Sequence, residues 1–345
     1  MAVPIILKAV ETLQAGELVA VPTETVYGLG ADAANPEAVA KIFAAKGRPA
    51  DHPLIVHLAN VASLGQWAED IPQAAWDLVS AFWPGSLTLI LKKQSWVPLS
   101  VTGGQDTVGL RVPAHPLMLE LLTAFAAARA PKAAGIAAPS ANRFGRVSPT
   151  TAAHVREELG DKVSLVLDGG PCAVGIESTI VDFSRGLPEI LRPGAISPDD
   201  IARVIGVLPR VRDRAAEETP VPRVSGSLAA HYAPLTPLRQ VKSDALTGEV
   251  VRLVHAGQRV AVLAYGAYEP CEADPVLHWQ IMAPEPIAYA RALYANLRAL
   301  DSLGAGVILV EEVPSSPIWQ AIADRLNRAA AGSGGAIDAC SNHGK

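Results

Sequence analysis

Residues 36–58, PEAVAKIFAAKGRPADHPLIVHL, decide the fold class because they read as a helix, a turn and a strand in succession. Pro36–Ala45 carries its proline in the first turn, where a helix has no use for the missing N–H, so a helix is expected there. Leu54–Leu58 is a short apolar run of strand length. Between them, Lys46-Gly47-Arg48-Pro49 sets two long cations one residue apart in a turn bounded by glycine and proline. On such a turn both cations can converge on one phosphate, and Ser140-Ala141-Asn142, far downstream, offers neutral donors beside them. The pattern is an anion clamp without a Walker loop, and a nucleotide site is the first hypothesis it supports.

Working outward, the same alternation continues. Strands are expected at Glu17–Val21, Ser86–Leu91, Val108–Val112 and Ser164–Leu167, with a helix over Pro116–Ala128. Residues 1–206 therefore read as α/β, one large sheet with covering helices. From Val207 to Leu238 the periodicity dissolves into five prolines and several arginines, which is linker composition. Residues 239–332 then give a strand at Arg259–Tyr265, a helix at Ile287–Leu303, a strand at Gly306–Val310 and a helix at Ile318–Ala331. That is a small parallel α/β unit, and the polar, glycine-rich residues 333–345 read as a tail.

The chain has 345 residues, 50% of them hydrophobic and 18% charged, enough for two globular domains. A net charge of −5 offers no general attraction to a phosphate backbone, so strong direct nucleic-acid binding is not expected. Cys172, Cys271 and Cys340 are far apart and lack CxxC spacing, which disfavours a disulfide framework and a zinc site and fits a reducing cytoplasm. No stretch approaches the roughly 20 apolar residues of a membrane span. Cys172 has no histidine partner in evidence, and no nucleophile role is assigned to it.

Pro22-Thr23-Glu24-Thr25-Val26-Tyr27-Gly28-Leu29-Gly30-Ala31 supports several readings. Gly28 to Ala33 formally matches the GxGxxA dinucleotide fingerprint, with Asp51 as a ribose-binding acid, although TETVY separates the preceding strand from the first glycine. Thr23, Thr25 and Tyr27 alternatively present hydroxyls to a small polar ligand at a strand end, or cap nearby backbone groups in a polar turn. Ser148, ahead of Pro149, is a good helix N-cap for Thr150–Leu159.

Seven segments in order then converge: PTETVYGLGA, KGRPADHPLIVHL, FWPGSLTLIL from Phe82, GLRVPAHP from Gly109, APSANRFGRVSPTTAAHV from Ala138, DGG…GIESTIVD from Asp168 and LRPGAIS from Leu191. Together they closely resemble the threonylcarbamoyl-AMP synthases of the YrdC-like fold. His231-Tyr232-Ala233-Pro234 and the second unit resemble that family's longer branch, with a smaller C-terminal Rossmann-like α/β domain. Many members of that branch carry Lys or Arg just before HYAP, whereas this chain reads Ser225-Gly226-Ser227-Leu228-Ala229-Ala230.

The resemblance implies a nucleotidyltransferase that joins L-threonine, bicarbonate or CO2, and ATP into L-threonylcarbamoyladenylate, releasing pyrophosphate. It implies a product used in threonylcarbamoyladenosine modification of tRNA, with hand-over to tRNA threonylcarbamoyl transferase proteins. Lys46, Arg48, Ser140 and Asn142 match the family's KxR and SxN residues, implied as the nucleotide clamp. Ser148 and Arg192 resemble nucleotide contacts, and Tyr232 resembles a linker residue closing over the nucleotide. Thr23, Tyr27, Arg111 and Ser178 are implied on the threonine side, Arg111 because its guanidinium fork suits a carboxylate. His52 either lines that side or caps a turn. Mg2+ is expected with ATP, and no carboxylate cage is assigned to it.

Two other classes make distinct predictions. An RNA-binding module of the same fold would bind RNA with steep salt dependence and without ATP turnover, against which the acidic balance argues. A carbamoyl-transfer enzyme embedding this fold would need zinc-finger or acylphosphatase-like segments, and the sequence has none.

Overall fold

The computed structural model describes residues 2–211, 222–226, 228–266 and 276–334. Part of the expected linker, residues 212–221, and of the expected tail, 335–345, lie outside the described residues, as do Cys271 and Cys340. The chain divides into two compact units, residues 1–144 with 148–227, and residues 145–147 with 228–345.

The first unit is built on a mixed sheet of ten described strands. They are β1 (Val19–Val21), β2 (Gly28–Asp32), β3 (Ile55–His57), β4 (Leu87–Lys92), β5 (Thr107–Arg111), β6 (Ile136–Ala137), β7 (Leu165–Val166), β8 (Thr179–Asp182), β9 (Glu189–Arg192) and β10 (Arg210–Val211). Their order is β10-β9-β8-β4-β5-β3-β6-β2-β1-β7. β3 and β5 run parallel with His57 opposite Arg111, so both strands end at the same level with a polar residue. β4 lies antiparallel to β5 and parallel to β8.

Apolar side chains fill both faces. Leu29, Val56, Trp67, Leu89 and Leu110 belong to the larger cluster. Ile6, Leu13, Val21, Met118, Phe125 and Ile136 belong to the second, which seats the N-terminal helix Ala2–Gln14 against the helix Pro116–Arg129. A third, small cluster joins Ile90, Ile180 and Leu191 with Val224, from the chain that follows β10.

Local chemistry sets the helix that decides the fold. Asn35 caps Pro36–Lys46 by accepting from the N–H groups of Glu37 and Ala38, and Gly47 ends it in the left-handed conformation, φ 63°. Only glycine takes that φ without strain, and the turn delivers Lys46 in the last helical turn and Arg48 just past it. Gly28-Leu29-Gly30-Ala31, by contrast, is strand and not a turn into a helix, so the dinucleotide fingerprint is wrong here. A Cβ on Gly30 would come 2.9 Å from Val19 O and 3.0 Å from Ile136 Cγ2; the glycine answers to neighbouring strands, not to a pyrophosphate.

The second unit has a parallel sheet of β11 (Leu238–Val241), β12 (Val260–Ala264), β13 (Leu277–Ile281) and β14 (Val307–Glu311), in the order β11-β14-β12-β13. Helices Ser243–His255, Pro286–Asp301 and Gln320–Gly332 accompany it. No described helix is long and apolar enough to cross a membrane.

Candidate active site

In the first unit, the sequence-expected residues fall into three linked groups. The first forms around Lys46, whose Nζ donates to the carbonyls of Ser140 and Asn142, both at 2.5 Å. The KxR and SxN segments are thus joined by the lysine itself. Burial, reinforced by the charge of Arg48, pushes the Lys46 pKa well below that of an ordinary lysine. Arg48 donates to Pro53 O at 2.9 Å and lies 6.0 Å from the Phe144 ring centroid. Asn142 is buried and donates from Nδ2 to Arg143 O. His52 meets Phe144 edge-to-face at 5.3 Å, so it sits on the Arg48 side; burial and then the Arg48 charge lower its pKa.

The second group gathers around Arg111. Its Nη2 pairs with Glu24 Oε1 at 2.6 Å, Nη1 donates to Thr25 Oγ1 at 2.9 Å and Nε to Gly85 O at 3.0 Å. Each terminal nitrogen keeps one further N–H. Burial alone would raise the Glu24 pKa, but the Arg111 charge and hydrogen bonds hold the carboxyl below its usual range. The Thr23 hydroxyl closes its own turn, donating to Val26 O at 2.6 Å and accepting from the N–H groups of Thr25 and Val26. It is therefore Thr25 that meets the guanidinium. Tyr27 is fully buried; its hydroxyl donates to Gly170 O at 2.8 Å and accepts from Gly169 N–H, and burial raises its pKa to about 12.

His57 belongs to this group, and the sequence reading did not single it out. It is buried opposite Arg111 in the strand register, and its Nδ1 has no hydrogen-bond partner among the described residues. Burial, with the Arg111 charge beside it, pushes its pKa down to about 3, so the imidazole is neutral at working pH. The available signal was a histidine closing an otherwise apolar strand, LIVHL.

The third group lies along β8 and β9. Arg192 donates to Ser178 O from Nε and Nη2, and to Ser178 Oγ at 3.0 Å. Ser178 Oγ is also 2.7 Å from Thr88 Oγ1. Ser148 is not a helix cap: Thr151 caps Ala152–Leu159, accepting from His154 N–H, and Ser148 gives its hydroxyl hydrogen to Glu177 at 2.6 Å. The Thr23–Thr25 turn ties the second group to the segment leading into β8, since Val174 and Gly175 N–H donate to the carbonyls of Glu24 and Thr25. Ala141 N–H donates to Tyr27 O, linking the SxN segment to the second group.

Tyr232 lies in the second unit. It is fully buried at φ 60°, with its ring stacked on Tyr294 at 5.7 Å and 5.3 Å from the Arg325 guanidinium. Cys172 is buried, and burial raises its thiol to about 12, so it is no ready thiolate. Among the described residues no three His, Cys, Asp or Glu side chains gather as a metal site.

Chemically, the first unit presents buried cations and hydroxyls around one region, with little to serve as a covalent nucleophile. Such an arrangement suits positioning of anionic reactants and stabilisation of charge on them.

Comparison with known proteins is consistent along the whole chain. Residues 11–194 match the Sua5/YciO/YrdC family model, described as telomere recombination, and residues 196–331 match the model described as threonylcarbamoyl-AMP synthase, C-terminal domain. The threonylcarbamoyl-AMP synthase of Pyrococcus abyssi is 40% identical over 326 residues, covering 92% of this chain and 91% of that protein. That of Bacillus subtilis is 39% identical over 336 residues, covering 95% and 94%. The crystal structure of P. abyssi Sua5 complexed with L-threonine superposes with a TM-score of 0.85 at 38% identity, over 95% of this chain and 94% of that one. With both units matched, the YrdC-like sheet and the parallel C-terminal sheet take their place in a single two-domain architecture, and the chain belongs to the threonylcarbamoyl-AMP synthase family.

Proposed function

We propose that the chain condenses L-threonine, bicarbonate or CO2, and ATP into threonylcarbamoyl-AMP, acting as a nucleotidyltransferase. The observation that carries this is the junction of Lys46 with the Ser140–Asn142 segment beside Arg48, a cationic cradle in the same unit as the Arg111–Thr25 pair. Threonine's amine and bicarbonate give a carbamate and water. A carbamate oxygen then attacks the α-phosphorus of ATP, and pyrophosphate leaves.

The residues have distinct parts in this reading. Lys46 orients the SxN segment, and an arriving phosphate offsets the cost of its buried charge. Arg48, Arg192 and Asn142 face nucleotide oxygens. Arg111, with one N–H left on each terminal nitrogen, takes the threonine carboxylate, while Thr25 and neutral His57 face its polar groups. Ser178, bonded to Arg192, joins the threonine and nucleotide sides. Glu24 keeps Arg111 neutralised and aimed.

Mg2+ finds no ligand set among the described side chains. It would arrive on the ATP phosphates, and no step assigned here to a residue depends on it. The product is a mixed anhydride of a carbamate and a phosphate, a reactive species suited to transfer onto an adenosine of tRNA through a threonylcarbamoyl transferase.

Pyrophosphate release by the full chain with ATP, Mg2+, L-threonine and bicarbonate tests the reading. Release that stops when either threonine or bicarbonate is omitted is expected. Release that persists without both would make the chain a nucleotide hydrolase instead.

A further inference from the structure

Past β10, the described segment Arg223–Val224–Ser225 returns to the sheet of the first unit. Val224 is 4% exposed, set among Ile90, Ile180 and Leu191. Arg223 is fixed on both sides of its backbone: its N–H donates to Gln105 Oε1 at 2.7 Å and its carbonyl accepts from Gln105 Nε2 at 3.2 Å. Its Nη2 donates to Gly103 O at 2.6 Å. An apolar anchor and reciprocal hydrogen bonds hold this stretch in one place, although its sequence has no periodicity.

Ser225 is what the anchors deliver. Its Oγ accepts from Arg48 Nη2 at 3.2 Å and donates to Pro53 O at 3.0 Å, while its carbonyl accepts from Arg192 Nη1 at 2.9 Å. Arg48 follows the helix Pro36–Lys46 and Arg192 ends β9, so one residue bridges cations from separate elements. Two guanidinium groups, 7% and 4% exposed, repel each other without an acceptor between them.

The geometry points to Ser225 as a positioning residue for the nucleotide's phosphates, acting through Arg48 and Arg192, with Val224 and Gln105 keeping it in place. This rests on the nucleotide reading of those arginines. It makes the phosphate site depend on residues beyond 206, outside the α/β unit that the sequence pattern bounds.

The test uses the full-length chain with Ser225→Ala, Ser225→Thr and Gln105→Ala. ATP and L-threonine binding are measured separately by calorimetry, followed by KM and kcat for each. A lost hydrogen bond to a charged group predicts ATP binding and KM about tenfold weaker in Ser225→Ala. L-Threonine binding should stay within about twofold, given that the altered contacts all lie on the two arginines. Ser225→Thr should restore ATP binding, and Gln105→Ala, which touches only Arg223, should weaken ATP in the same direction.

Unchanged or tighter ATP binding in Ser225→Ala would overturn the proposal, the tighter result meaning that Ser225 competes with phosphate. Equal weakening of both ligands with a lowered melting temperature, unrescued by threonine, would also overturn it, as a merely structural role. If Ser225→Ala does not fold, Gln105→Ala alone decides by the same criteria. A wild type that binds ATP yet releases no pyrophosphate with threonine and bicarbonate would sink the synthase reading while leaving the clamp standing.

Discussion

Replacing His57 by glutamine should change how the first unit's stability depends on pH. The imidazole titrates near 6.5 when exposed and near about 3 in the fold, held down by burial and then by Arg111. Between those values the unfolded chain binds a proton that the folded one refuses, so stability falls as pH falls. The slope is about 1.4 kcal/mol per pH unit, giving a loss of about 2 kcal/mol between pH 6.5 and pH 5 from this group alone. Urea unfolding followed by tryptophan fluorescence reads it, since Trp67, Trp76, Trp83 and Trp96 all lie in the first unit. The other histidines are common to both proteins and cancel in the comparison. His57→Gln should retain that increment, its stability difference from wild type shifting by about 2 kcal/mol in its favour from pH 6.5 to pH 5. Parallel profiles over that range would refute a buried, neutral His57 beside Arg111.

Arg48→Ala and Lys46→Ala should each cost about 2.7–4 kcal/mol of transition-state stabilisation, or roughly a hundredfold or more in pyrophosphate release. Activity within twofold of wild type in both would remove the cradle from the mechanism. Glu24→Gln leaves the Arg111 charge buried without its partner and should destabilise the first unit by about 3–5 kcal/mol at neutral pH, read as a lower urea midpoint. The wild-type pair, whose folded carboxyl is held below 4.5, contributes fully above that pH and is lost as pH falls through the lower folded value. Glu24→Gln should lack that part of the acid limb, and an unchanged limb would count against the pair.

Much of the fold was legible because local chemistry dictates it. Pro36 and Gly47 bracket a helix whose end sets Lys46 and Arg48, and the apolar runs at β3, β4, β5, β12 and β14 are strands within a residue or two of the expected limits. What escaped depends on partners distant in sequence. Gly28–Asp32 looked like a turn because its glycines are required by β1 and β6, which no local pattern reveals. Ser148 looked like a cap because Glu177, which takes its hydrogen, is a separate segment. The N-terminal helix went unread because its apolar positions Ile6, Val10 and Leu13 matter only against the Pro116–Arg129 helix.

The site was legible as residue types and not as bonds. Spacing put Lys46 and Arg48 with Ser140 and Asn142, yet only the fold shows that the lysine holds the two backbone carbonyls of that segment. Arg111 was expected to meet threonine, and the structure adds that Glu24 and Thr25 already occupy three of its bonds together with Gly85. Ser225 could not be read at all, since its role arises from bonds to Arg48 and Arg192 across unrelated segments.

The most direct test follows carbon from 13C-bicarbonate through a single turnover of the full chain with ATP, Mg2+ and L-threonine, with the products separated and weighed by mass spectrometry. The account predicts one labelled carbon in an adenylate that also contains threonine, formed together with pyrophosphate. An adenylate of threonine without the label, or AMP and pyrophosphate alone, would contradict it.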